Sequence, residues 1–148
     1  MGLRCFIYGI DEVEVMHIEG NQKDLAEVYS AAEDHLYLDK SWAAIHFLLT
    51  GTEGEGDFPF NFILAGGRPI PGSDGARYFS PEEVRIIYTA LSVRSSEDFL
   101  TRYDPRIAKT EIYPFIWDPE YIEEYFTDLK DYLRNLCSQG KAMIIVVG

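Results

Sequence analysis

The sequence predicts an α+β fold: one domain over residues 1–148, with a small mixed sheet that holds the N- and C-terminal strands and about five helices packed on it. Two observations carry this. Near each end lies an apolar run of strand character, Gly2–Ile10 and the β-branched Ala142–Val147. Between them stand two helix starts written in cap-then-proline form, Ser80-Pro81-Glu82-Glu83 and Asp118-Pro119.

Taken in order, Leu3, Cys5, Ile7 and Gly9 alternate with Arg4, Phe6, Tyr8 and Ile10, and both sets are apolar enough for a strand covered on both faces. Asp11–Gly20 mixes Val13, Val15 and Ile18 with Asp11, Glu12, Glu14 and Glu19, and reads either as a second short strand or as an irregular crossing. Asn21–His35 has helical spacing at Leu25, Val28, Tyr29 and Ala32 behind an Asn21 cap, and Leu36–Leu38 connects it onward.

The fold is expected to close around Leu38–Gly51, which holds a dense apolar run, a Trp, a His and a charged pair. As a helix it begins at an Asp39 or Ser41 cap, puts Trp42, Ile45, Leu48 and Leu49 on one face, and ends at Gly51. Thr50–Asp57 is a Gly- and acid-rich loop, Phe58–Leu64 an apolar run, and Ala65–Gly75 a long irregular segment that suits either a functional loop or a plain connection.

After Ser80, the capping box leads into a helix with Val84, Ile87, Tyr88 and Leu91 inward. A short helix from Ser95 or Ser96 carries Phe99 and Leu100 to Tyr103-Asp104-Pro105. An aromatic connection, Glu111–Trp117, precedes the longest helix, whose stripe of Ile122, Phe126, Leu129, Leu133 and Leu136 runs to Gly140.

The net charge of −12 makes a phosphate backbone or an anionic membrane a repulsive partner, and the same field steers a basic protein or a cationic small molecule inward. Acidity that merely keeps the protein soluble is the plainer explanation of the charge, and charge alone decides little. The first residues reach Asp11 and Glu12 too soon for a signal peptide, and no run approaches the roughly 18 apolar residues of a membrane span. Cys5 and Cys137 lie far apart with no CxxC, which suits reduced thiols in the cytoplasm.

At Asp39-Lys40, Trp42, His46-Phe47 and Leu49-Thr50-Gly51, with Ile112-Tyr113-Pro114 and the closing Gln139-Gly140 through Val146-Val147-Gly148, the sequence resembles the YfbM-like bacterial proteins of the DUF1877 family. The resemblance spans nearly the whole chain. It implies a small, soluble, cytoplasmic domain of helices and strands in a family without an assigned activity, here with a shorter helical region before Leu38 than in longer members.

Three groups of residues could carry chemistry. His46 with Lys40 and Asp39 could do acid–base work, against a reading in which His46 bonds a carbonyl and the other two pair or cap. Arg77, after the Gly-rich segment, could grip a carboxylate or phosphate, or simply make a structural ion pair. Together with Trp42 and Tyr113 these define a candidate pocket of Lys40, Trp42, His46, Arg77 and Tyr113.

Tyr113, Trp117 and Tyr121 offer amphipathic rings beside the acidic face of the last helix, so Trp117, Tyr121, Glu124 and Asp128 form a candidate partner surface. Loop packing and ordinary solvation of the helix are the plain alternatives. No Walker, GxGxxG, GxSxG or metal-ligand spacing occurs, so the sequence calls for no cofactor and no metal. The expectation is a non-catalytic binding module for a basic partner protein, regulatory or toxin-neutralising, with a small-molecule binder or enzyme as the alternative.

Overall fold

A computed structural model describes residues 3–19, 25–32, 34–52, 54–70, 73, 75–95 and 118–148. The terminal strands, β1 (Cys5–Ile10) and β5 (Ala142–Val147), pair over six residues from Cys5↔Val147 to Ile10↔Ala142. Arg4 and Gly148 extend the ladder with two reciprocal main-chain hydrogen bonds of 3.2 and 2.9 Å. The expectation that both ends share a sheet holds, because each strand is apolar on two faces and must be covered on both.

Among the described residues three shorter strands join them: β2 (His35–Asp39), β3 (Arg68–Pro69) and β4 (Arg77–Phe79), in the spatial order β2-β1-β5-β4-β3. Among the described residues every pairing is antiparallel, where a mixed sheet is expected from the sequence. The residues assigned to connections supply the neighbours of the terminal pair.

Five helices lie among the described residues. Residues 12–19 are α1 (Glu12–Glu19), not a strand or an irregular crossing. Glu12 and Glu14 in its first turn suit the helix dipole, and among its described side chains only Val15 is buried, so the alternation of Val and Glu was no sign of a sheet face. The next helix, α2, is described over Leu25–Ala31, and His35, expected as the end of that helix, is instead the first residue of β2. The expected Asn21 cap, and the Ser96–Tyr103 part of the expected short helix, lie outside the described residues.

α3 (Trp42–Thr50) is buried nearly all round: Ala43, Ala44 and His46 are enclosed as well as Trp42, Ile45, Leu48 and Leu49. Neither expected N-terminal cap forms, for the Ser41 hydroxyl instead donates back to the Leu38 carbonyl at 2.6 Å. Gly51 ends the helix in the left-handed conformation, φ 78°, as its position predicts.

α4 (Pro81–Ser92) opens with the predicted reciprocal box: Glu83 N donates to Ser80 Oγ at 3.2 Å and Ser80 N donates to Glu83 Oε1 at 3.0 Å. α5 (Pro119–Gln139) is capped by the Asp118 carboxylate, and all five stripe residues from Ile122 to Leu136 are buried. Helices α3, α4 and α5 cover one face of the sheet, against Cys5, Ile7, Phe79, Met143 and Ile145. On the other face Val15 of α1 and Val28 of α2 close over Ile10, Tyr78, Ala142 and Ile144.

Two glycines are dictated by close approach. A Cβ on Gly9 would stand 2.2 Å from Leu136 Cδ2, so the close seating of α5 on β1 at this point leaves no room for a side chain. At Gly67, φ 69°, it would stand 2.7 Å from the Tyr78 carbonyl oxygen.

Candidate functional site

The site begins with a defect in β2. Cys5 pairs with Asp39 but Phe6 pairs with Tyr37, so Leu38 is the extra residue of a bulge. Asp39 takes φ 50° in the left-handed region, which aspartate tolerates better than most residues. Its carboxylate then meets α5. Tyr121 donates its hydroxyl to Oδ2 at 2.8 Å across 82 positions of sequence, and Tyr37 donates to Oδ1 at 2.9 Å. The Arg4 Nε stands 3.7 Å from the same Oδ1.

Burial pushes the Asp39 carboxyl up, but the two phenolic hydrogen bonds and the charges of Arg4 and Lys40 outweigh it and hold the group below the ordinary carboxylate range. The tyrosines move the other way. Tyr121 and Tyr37 are both raised by desolvation first and by the Asp39 hydrogen bond and charge next. Tyr125, whose ring lies 4.8 Å from that of Tyr121, is raised by desolvation and by the charges of Asp39, Glu124 and Asp128. All three phenols therefore stay protonated beside a carboxylate that stays ionised.

Around the edge of the sheet this corner joins an aromatic row. Phe6 and Tyr37 rings are 4.9 Å apart, Tyr8 and His35 5.4 Å, and Tyr8 and Tyr29 4.2 Å. His35 and Tyr37 are exposed.

The expected pocket residues go to separate tasks. Trp42 is buried, and its indole N–H donates to the Leu3 carbonyl at 3.0 Å. His46 is fully buried, and neither ring nitrogen has a hydrogen-bond partner. Desolvation lowers its pKa below the usual 6.5, opposed by the nearby Glu55 main chain, which does not reach hydrogen-bonding geometry.

Arg77 uses its guanidinium on main-chain oxygens, donating to Gly66 at 2.9 Å, to Phe62 at 3.1 Å and to Ile63 at 2.5 Å. It fastens a turn rather than making the ion pair that was one reading of it. Lys40 is half-buried next to Asp39. Tyr113 and Trp117 lie outside the described residues.

On the expected partner surface, Tyr121 is half-buried in the Asp39 corner while Glu124 and Asp128 are exposed on α5. Sequence reasoning missed Arg4, Tyr37 and Tyr125; the spacing of Tyr121 and Tyr125, four residues apart on one predicted helix, was the available signal for the last.

A groove of about 380 Å³ elsewhere, between α1 and the β3–β4 edge, is lined by Glu12, Val15, Met16, Arg68, Tyr78 and Ser80 and contains none of the expected site residues. Both cysteines are free, with the buried Cys5 thiol raised to about 12 by desolvation against the pull of Arg77. Among the described residues no group of three or more His, Cys, Asp or Glu could hold a metal ion, and no helix is long and apolar enough to cross a membrane.

Comparison with solved structures finds the same fold in the Escherichia coli protein YfbM, itself of unknown function. The TM-score is 0.74 at 18% identity, covering 98% of this chain and 99% of that one. No curated protein matches. The family described as a domain of unknown function, DUF1877, matches residues 1–146. With that match over almost all of its length, and with the fold shared, the chain belongs to the DUF1877 family.

Proposed function

We propose that the protein is a non-catalytic binding module for a basic partner protein, which docks on the first half of α5 and the adjoining Asp39 corner. One observation carries the reading. From Asp118 to Leu129 the helix and its cap hold Asp118, Glu120, Glu123, Glu124 and Asp128 at exposed positions with no Lys or Arg among them. Tyr121 and Tyr125, half-buried in the same stretch, supply ring area beside the charge.

A field of one sign over a few helical turns speeds encounter with an oppositely charged partner and selects against acidic ones. The free thiols fit a cytoplasmic setting. The alternative, a small-molecule pocket at Lys40, Trp42, His46 and Arg77, has less behind it, because Trp42 and Arg77 already spend donors on carbonyls.

Affinity capture of the tagged full chain from native lysate at low and at high salt tests the reading. A basic protein retained at low salt and released at high salt is expected. Replacing Glu123, Glu124 and Asp128 together by their amides should weaken that binding and flatten its salt dependence. Unchanged affinity in the triple variant would refute the docking face.

A further inference from the structure

The acceptor chemistry at Asp39 points to one kind of ligand group. Tyr37 and Tyr121 each commit their single hydroxyl proton to Asp39, so each keeps lone pairs away from the carboxylate, with the Lys40 main chain approaching the Tyr121 oxygen and the Tyr37 oxygen left to the exposed side. The corner therefore gathers oxygens that accept, with both of these phenolic donors spent. Such a set fits a cation that only donates. A guanidinium, planar and carrying five N–H groups, can bridge several acceptors at once, whereas an ammonium engages them as a point charge.

The aromatic surroundings suit the same group, since Tyr121 and Tyr125 rings lie 4.8 Å apart at 60°, close to the carboxylate whose charge both feel. The chain already brings one guanidinium to the edge of the site. Arg4 Nε is 3.7 Å from Asp39 Oδ1, beyond hydrogen-bond distance, and its side chain is 48% exposed, so it is a loose neighbour.

We propose that the Asp39–Tyr37–Tyr121 corner is the anchoring site for an arginine side chain of the basic partner, and that the partner's guanidinium displaces Arg4 from the carboxylate. The inference rests on the reading of the chain as a module for a basic partner and assigns the chemistry of its anchor.

The probe is an acetylated, amidated hexa-arginine peptide titrated into the full chain by calorimetry, with hexa-lysine in parallel. Asp39→Asn should weaken hexa-arginine binding about tenfold, the scale of one charge-assisted hydrogen bond, and Tyr121→Phe about threefold. Hexa-lysine should bind more weakly than hexa-arginine.

Arg4→Ala gives the outcome a merely structural role would not: removal of the resident guanidinium should tighten hexa-arginine binding about threefold. Arg85→Ala is the control for net charge. Arg85 is exposed and its charge is felt by Cys137, which lies 16 residues beyond Tyr121 on α5, about 24 Å along the helix.

Thermal melts establish that each variant is folded. Should Asp39→Asn not fold, Arg4→Ala and Tyr121→Phe decide. Equal effects of Arg4→Ala and Arg85→Ala, with no loss in Tyr121→Phe, overturn the anchor while leaving the basic-partner reading intact if the α5 amide variant still weakens binding. Absence of hexa-arginine binding at low salt overturns both.

Discussion

Removing the Arg77 guanidinium should loosen the turn that carries Phe62 and Ile63 into the core. Both side chains are fully buried, and the turn that holds them is tied to the sheet by three Arg77 hydrogen bonds, to the carbonyls of Phe62, Ile63 and Gly66. Two of these are part-buried and one is exposed.

With about 1–1.5 kcal/mol for each part-buried bond and about 0.5 kcal/mol for the exposed one, the loss comes to about 3 kcal/mol. The guanidinium also lies 5.7 Å from the Phe79 ring centroid, worth about 0.5 kcal/mol more. Arg77→Ala should therefore cost about 3–4 kcal/mol, or roughly 10 °C in Tm for a chain of this size.

Arg77→Lys, which keeps the charge but offers a single donor centre, should lose about half of that. Urea unfolding is the assay, with the midpoint expected to fall at constant slope. An Arg77→Ala variant within about 0.5 kcal/mol of the parent, the scatter of ordinary surface changes, would refute the structural role and return Arg77 to the candidates for ligand binding.

Two further perturbations test the packing. Gly9→Ala forces a methyl to 2.2 Å from Leu136 Cδ2 and to 3.3 Å from the Tyr132 hydroxyl that accepts the Gly9 N–H; a loss of about 2–3 kcal/mol is expected in the same urea assay. Combined with Leu136→Ala it should cost less than the sum of the two, and strict additivity would mean that the two residues do not meet. His46→Leu removes two buried nitrogens without partners and should stabilise the protein at neutral pH by about 1 kcal/mol.

His46 also carries a pH dependence of defined sign. Its folded pKa lies below the unfolded 6.5, so on acidification the unfolded chain takes up this proton first and stability falls. The loss starts as the pH drops through 6.5 and continues down to the folded pKa, at up to about 1.4 kcal/mol per pH unit. Stability measured from neutral pH downward should fall less steeply in His46→Leu, and an unchanged slope would show that His46 is not the group responsible.

What could be read from the sequence shares one property, that its cause lies within a few residues. Ser80 and Glu83 cap each other across a single turn, Asp118 caps the helix that Pro119 begins, and Gly51 and Gly140 close helices because the next residue must turn left-handed. The apolar stripe of α5 and the β-branched run of β5 are likewise local patterns, and each predicts its own burial. The family resemblance rested on motifs of the same short-range kind.

The remainder depended on partners distant in sequence. β4 has three residues, too few for any periodicity, and it is a strand because Ile145 and Met143 of β5 stand beside it. Val13 and Val15 alternate with Glu like a strand, yet β2 and β5 flank β1 and leave α1 to lie across the face of the sheet.

Arg77 looked like a ligand-gripping residue because a lone guanidinium after glycines does not reveal that main-chain carbonyls 11 to 15 positions earlier will occupy it. Asp39 looked like a helix cap or a partner for His46. Only the bulge in β2 and the docking of α5 turn its carboxylate to Tyr121, 82 residues away.

Sequence by itself determined the α+β class, the acidic face, the starts of α4 and α5 and the ends of α3 and α5, because main-chain caps and side-chain periodicity act over one or two turns. The tertiary structure alone decided which polar groups face one another, since that follows from how the helices seat on the sheet.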